Sequence, residues 1–460
     1  METRRAGRPP VWVPDVDLTR PHLIGCDGAG MSALMRLYGQ AGRTVTGSDR
    51  RRGVIHTRLD GATCVVVSSA IPEDDPEVLL ARSTGLPIIH RAQALAKELH
   101  DRVSVAVSGT HGKTSTSAML SHILTEAGHD PSYVLGGRIV GGANARYGTG
   151  PIVVEADESD RSLLLLSPQI AVITSIDDDH PETLNGLGDT LALFEDFTRR
   201  IPTTGTVVVC TDDPGGALLA DRICRNLGPR VVTYGSTLHD NVTIRHLRLR
   251  PGNSHTTALI GGQQIEIHLA LPGRHMALNA VAAAATAHLL GVQPEEAAVA
   301  LASYRGVDRR LTLHGNHRGV PVVDSFAHHP TAITADLNAL DSVTDPRGRI
   351  WVAFEPSGAA RVERFGPQMG RALSAAAGVM LLPVNSQFTV PAADLLDPIR
   401  QELTNRRVPV WDATGDPMAA ARLLASRAER GDVLVTMGAG TVTKLGPLLC
   451  AELDQPALVR

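Results

Sequence analysis

The sequence predicts an α/β protein with room for about three domains. Its 460 residues allow roughly three units of about 150 residues each. Residues 22–47 and residues 103–117 each read as a short apolar strand, a glycine-rich turn and a helix, the opening of a nucleotide-binding βαβ unit. Further short apolar runs end in acidic or glycine-rich turns near 155, 177, 324 and 438, as parallel strands alternating with helices do.

Composition narrows the function classes. An apolar content of 43% is enough to fill cores and argues against wholesale disorder. A net charge of −4 without a basic run argues against a nucleic-acid partner. Lysine occurs only as Lys97, Lys113 and Lys444, so the one inside a glycine-rich turn stands out. The cysteines Cys26, Cys64, Cys210, Cys224 and Cys450 are scattered and form no CxxC. That pattern predicts reduced thiols in a cytoplasm rather than a disulfide scaffold or a zinc site. The first 15 residues have no apolar stretch behind their arginines, so no signal peptide is expected. No segment is long and apolar enough to span a membrane. Nothing in the pattern fixes an oligomeric state.

Residues 103–117 carry the strongest chemical signal. Val103, Val105 and Val107 alternate as in a buried strand. The turn Gly109-Thr110-His111-Gly112-Lys113-Thr114-Ser115 follows, and then a helical pattern through Ala118, Met119, Leu120, Ile123 and Leu124. Glycines let a backbone wrap a phosphate, and N–H groups at the helix start face the anion. Lys113 would neutralise terminal phosphates, and the Thr114 hydroxyl would coordinate magnesium. The common phosphate loop would place its first glycine at 107, which is valine here; the glycine stands at 109. A plain glycine turn with a solvated lysine is outweighed by the coincidence of strand, glycines, Lys and Thr.

This shorter loop, GTHGKT, resembles that of the Mur ligase family, most closely the branch joining UDP-N-acetylmuramate to L-alanine in peptidoglycan synthesis. The resemblance extends over nearly the whole chain. It implies a Rossmann-like N-terminal domain over 1–102, a central P-loop ATP-binding domain over 103–308 and a Rossmann-like C-terminal lid over 309–460. It also implies a cytoplasmic enzyme that uses ATP and Mg2+ to join two small-molecule substrates, a carboxylate and an amine, through an acyl phosphate.

Further motifs carry the resemblance along the chain. In the first domain Gly25, Gly28 and Gly30, with Ser69 of Ser69-Ala70-Ile71, match the segment that holds the substrate's uridine diphosphate. Asp27 stands at a family glycine and would repel a diphosphate at close range. The segment 50–63 is short, so this domain is expected to be trimmed. In the centre, EADESD over 155–160 makes Glu155 a magnesium ligand. Asp177-Asp178-Asp179-His180 makes His180 a ligand of a second magnesium. Residues 272–280 match the adenine-side motif through His275 and Asn279, with Met276 replacing an asparagine. Between 200 and 270 short β runs at 206–210, 231–234, 255–260 and 264–269 carry no recognisable chemistry.

In the third unit Arg310, rather than Arg309, matches the arginine that meets the γ-phosphate. Asp324 would orient the nucleotide, and His328 and His329 would line the interdomain cleft. Arg361 matches a substrate-side arginine, whereas Ser357 and Gly358 replace a His and an Arg. Residues 381–391 lack the Tyr and acidic residues used around the incoming amino acid. These departures, with Asp27, favour a second reading, an amide-forming ligase acting on a different carboxylate and amine in secondary metabolism. A nucleotide-binding regulator without ligation is disfavoured by the joint presence of Lys113, Thr114, Glu155 and His180.

Overall fold

The computed structural model describes residues 15–455 apart from 51–52, 54–57, 226–227, 251, 386–391 and 414. Three separate sheets of four, ten and six strands organise it.

The first sheet is wholly parallel, in the order Thr46–Ser48, Pro21–Ile24, Cys64–Val67 and Ile88–His90. Pro21–Ile24 is buried along its length and turns at Gly25, φ +77°, into the helix Ala29–Gln40. That helix buries Met31, Leu34, Leu37 and Tyr38 on one face, as its apolar spacing dictates. The connection from Ser48 to Cys64 holds no α-helix among its described residues, in keeping with the shortness of that segment.

In the ten-stranded sheet the fully buried strand Ser104–Ser108 lies between Ile152–Glu155 and Ile170–Ile173, all three parallel. Their carboxyl ends therefore deliver the phosphate loop, the 155–160 turn and the 174–180 turn to one edge, where ligands bind in open α/β sheets. The predicted start at Val103 is corrected: the strand begins one residue later, and Val103 is 45% exposed. Sequence patterning missed the strand Val242–Arg250, which forms an antiparallel hairpin with Asn253–Ile260. Its outer half is solvated and carries three arginines, so no buried alternation marks it.

The third sheet runs Arg310–His317, Val320–Ser325, Val433–Gly438, Ile350–Glu355, Gly378–Leu381 and Val410–Asp412. All pairs are parallel except the first. Helix Ala359–Leu373 buries Val362, Phe365, Met369 and Leu373 against it, and presents Arg361 from its first turn. Residues 386–391, part of the stretch singled out for lacking amino-acid-pocket side chains, lie outside the described residues.

Candidate active site

The phosphate loop is held by contacts that only glycine permits. At Gly109, φ +130°, a Cβ would lie 2.3 Å from Thr174 Oγ1. At Gly112, φ +85°, it would lie 2.6 Å from Asn279 Oδ1. Both backbone shapes are strained for side-chain-bearing residues. Thr110 N–H donates to the Ser175 carbonyl at 2.9 Å, and His111 N–H to Ser175 Oγ at 2.9 Å. The helix Lys113–Glu126 begins at Lys113, with Thr114 and Ser115 buried in its first turn. Its unpaired N-terminal N–H groups therefore face the loop.

Two carboxylates grip the loop's functional groups. Lys113 Nζ donates to the Gly109 carbonyl at 2.6 Å and to Glu158 Oε1 at 2.8 Å. Thr114 Oγ1 donates to Glu155 Oε2 at 3.0 Å, and Gly136 N–H donates to Glu155 Oε1. Burial raises both carboxyls above the usual glutamate range, against the pull of Lys113. Burial would also lower the Lys113 ammonium, but Glu158 and Asp157 outweigh it and the group is raised. Glu158 is buried and its Oε2 has no hydrogen-bond partner among the described residues. An unsatisfied buried carboxylate oxygen invites a cation.

The two adjacent arginines part company. Arg310 Nη2 reaches to 3.5 Å from Thr114 Oγ1, at the loop. Arg309 donates to the carbonyls of Gly438 and Ala439, inside the third unit, and lies 3.6 Å from Asp324. Arg309 at φ +64° and Leu311 at φ +57° flank Arg310 with left-handed backbone.

The run Asp177-Asp178-Asp179 meets the third unit residue by residue. Thr331 Oγ1 donates to Asp177 Oδ2 at 2.5 Å, Arg364 Nη2 to Asp178 Oδ2 at 2.6 Å, and Arg361 Nε to Asp179 Oδ1 at 2.7 Å. Although burial acts to raise them, Asp177 and Asp179 are held well below the usual carboxylate range, Asp177 chiefly by hydrogen bonds from His111 and Thr331, Asp179 chiefly by Arg361. His180, at φ +56°, sits 3.7 Å from Glu158 Oε1 and 3.1 Å from Glu182 Oε1. Burial opposes its charged form, but Glu182, Asp179 and Glu158 raise its pKa.

The structure thus brings Lys113, Thr114, Glu155, His180 and Arg310 to one edge, with Glu158 among them. It does not bring Asp324 there. That buried carboxylate accepts from Thr436 Oγ1 at 2.8 Å and from Thr443 Oγ1, within its own unit. His329 Nε2 reaches the Asp178 carbonyl at 3.0 Å, across the cleft. His328 Nδ1 bonds the Phe326 carbonyl at 2.8 Å, and burial pushes its pKa down to about 3. Asn279 packs on Gly112, whereas His275, 3.3 Å from Asp336, lines a cavity of about 700 Å³ with Leu278, Pro330 and Thr334. In the first unit Gly25, Gly28 and Gly30 line a cavity of about 390 Å³ with Asp49 and Arg91. Asp27 N–H donates to Asp49 Oδ2 at 3.0 Å. Ser69 Oγ lies outside that cavity, bonded to Asp160 and to His90 Nε2 at 3.0 Å.

A glycine loop opening a helix at the carboxyl edge of a parallel sheet, with a half-buried Lys, a hydroxyl on a carboxylate and an arginine from a second unit, defines a phosphate-handling enzyme closed by a lid. The comparisons with known proteins give the family. The Mur ligase catalytic domain matches residues 20–102, the Mur ligase middle domain 107–287 and the Mur ligase glutamate ligase domain 309–440. A UDP-N-acetylmuramate–L-alanine ligase of Streptomyces coelicolor is 39% identical, covering 95% of this chain and 98% of its own. One of Kineococcus radiotolerans is 40% identical over 94% of this chain and 95% of its own. The crystal structure of the UDP-N-acetylmuramate–alanine ligase of Thermotoga maritima superposes with a TM-score of 0.77, at 25% identity, over 94% of this chain and 98% of that one. The chain belongs to the Mur ligase family and is an ATP-dependent ligase that forms an amide from a carboxylate and an amine. No helix among the described residues is long and apolar enough to cross a membrane.

Proposed function

We propose that this ligase joins L-alanine to UDP-N-acetylmuramate in peptidoglycan synthesis. The observation that carries the reading is the convergence of Lys113, Thr114, Glu155 and Arg310 on one loop in a chain that matches ligases of that name over nearly its full length. Lys113 and Arg310 would offset charge on the transferring phosphoryl group as the acceptor carboxylate becomes an acyl phosphate. The amine then attacks the acyl carbon, and phosphate leaves. Closure of the third unit excludes water that would otherwise hydrolyse the acyl phosphate.

Thr114, Glu155 and His180 would hold magnesium. The half-buried Glu155 beside the buried Glu158, whose Oε2 has no hydrogen-bond partner among the described residues, suits a hard cation. When bound, Mg2+ supplies charge neutralisation between phosphate oxygens. Gly109 to Ser115 would cradle the phosphates. His275 would meet the nucleoside in the 700 Å³ cavity, and Asn279 would set the loop through Gly112. Asp324 would act by fixing Arg309 rather than by touching nucleotide. Gly25, Gly28 and Gly30 would take the diphosphate, and Ser69, His328, His329 and Arg361 would border the substrate cleft. The three functional domains are proposed at 1–102, 103–308 and 309–460, in support of which each unit has its own sheet. ATP as co-substrate and five cysteines free of disulfides support a cytoplasmic setting.

Phosphate release is measured with ATP, magnesium, UDP-N-acetylmuramate and each amino acid in turn. Release that requires both UDP-N-acetylmuramate and L-alanine is expected. A specific observation favours a second reading, with another carboxylate and amine: among the described residues, Asp49, Asp75 and Glu77 line the first-unit cavity against only Arg50, which pairs with Asp75 at 2.9 Å, and Arg91, and Asp27 stands beside it. Release with a non-UDP carboxylate alone would establish that reading and overturn the first.

A further inference from the structure

His111 of the phosphate loop, Asp177 of the central sheet edge and His329 of the third unit meet in space although they are far apart in sequence. One ligand atom from each lies within 4.8 Å of the others. Asp177 Oδ2 is 3.3 Å from His111 Nε2 and 3.8 Å from His329 Nδ1.

The hydrogen bonding of His329 fixes where its lone pair points. Nε2 is 3.0 Å from the Asp178 carbonyl. A carbonyl only accepts, so Nε2 carries the proton. Burial, with His111 beside it, lowers the pKa of His329 and favours the neutral ring. Nδ1 is then an acceptor. It takes a long bond from Thr331 N–H at 3.3 Å, and it faces the carboxylate of Asp177. Thr331 supplies a donor to each, its hydroxyl to Asp177 Oδ2 at 2.5 Å and its N–H to Nδ1, and a cation placed between the two would still find acceptor lone pairs on both sides.

The surroundings suit a metal-bound imidazole. A ring N–H held by a backbone carbonyl, while the other nitrogen ligates, is the arrangement that orients metal-bound histidines. The rings of His111 and His329 have centroids 5.0 Å apart. Two imidazoles on one tetrahedral zinc stand about 5 Å apart by the same measure, given Zn–N bonds of about 2.0–2.1 Å. Two imidazoles with one carboxylate is a borderline donor set, which prefers zinc to magnesium.

We propose that His111, Asp177 and His329 form a binding site for a divalent transition-metal ion of the zinc class, distinct from the magnesium ligands. His111 moves its proton to Nδ1, and Nε2 becomes a ligand. Small side-chain shifts bring the three donors to bonding distance, and the fourth position stays open to water or an anion. Because the ligands come from both the central and the third unit, the ion ties the two together. This proposal does not depend on which carboxylate and amine the ligase joins.

The test is a zinc titration of the full chain in excess magnesium without nucleotide, read by calorimetry and by melting temperature. One zinc per chain is expected, with a rise in melting temperature. His111→Asn and His329→Gln should each weaken zinc binding about tenfold or more. His180→Gln should leave it unchanged. His329 also caps its helix, so circular dichroism checks the fold of that variant, and His111→Asn serves independently of the cap. Absence of zinc uptake, uptake indifferent to both histidine variants, or uptake lost in His180→Gln would each overturn the proposal.

Discussion

Arg361 Nε stands 2.7 Å from Asp179 Oδ1, and both side chains are buried where the third unit meets the central one. An ion pair removed from water is poor evidence of net stability, but removing one partner leaves a buried charge with nothing to offset it.

Arg361→Ala is therefore expected to destabilise the chain by about 3–5 kcal/mol. Arg361→Lys should recover only part, because a point charge cannot reproduce the guanidinium's bonds to Asp179 and the Ser357 carbonyl. Urea unfolding of the three proteins checks this. Equal midpoints would show that the pair contributes nothing.

Acid should loosen the same interface. The folded carboxyls of Asp177 and Asp179 are depressed below their unfolded value of about 3.9. A depressed group contributes stability fully above the unfolded pKa and loses it as pH falls through the folded one. The contribution of these two carboxyls should hold from pH 7 to about pH 5 and be lost below about pH 4, while the depressed imidazole of His328 adds a separate decline that begins below about pH 6.5. Asp179→Asn should show a shallower acid decline than the parent, although it starts less stable.

Lys113→Ala should abolish ADP formation, a loss of at least about a thousandfold if the ammonium offsets phosphoryl charge. The variant also leaves Glu158 without its counter-ion. Nucleotide binding by calorimetry separates lost affinity from lost turnover. Turnover at the parent rate would refute the phosphate-loop assignment.

Gly112→Ala tests the loop's shape rather than its charge. The new methyl would meet Asn279 Oδ1 at 2.6 Å on a backbone of φ +85°. A strain of about 1–3 kcal/mol is expected, read as a roughly ten- to hundredfold rise in KM for ATP. Pairing it with Asn279→Ala should relieve the steric part, and the double variant should bind ATP better than Gly112→Ala alone.

The phosphate loop was legible because its parts lie within a dozen residues, so strand, turn and helix patterns overlap on the motif itself. Glu158 as the partner of Lys113 was not: the acidic turn was visible, but which of its carboxylates faces the lysine depends on the curl of the chain after Glu155. The link from Arg364 to Asp178 spans 186 positions and leaves no local trace. Asp324 could be picked out as a motif residue, yet its bonds to Thr436 and Thr443 run along a strand pairing that sequence spacing cannot reveal. The strand Val242–Arg250 escaped because burial, the source of periodicity, is confined to its first residues.

Arg309 and Arg310 are chemically identical neighbours, yet one is anchored within the lid and the other reaches the phosphate loop. What tells them apart is torsion: the left-handed residues on either side of Arg310 turn the chain so that consecutive side chains leave it in different directions. Shortening the chain by one residue between 307 and 311 would keep the composition of this corner almost intact. It would nevertheless remove the torsions that aim Arg310 at the phosphate loop, so tolerance to deletion here should be far lower than tolerance to substitution at 309 alone.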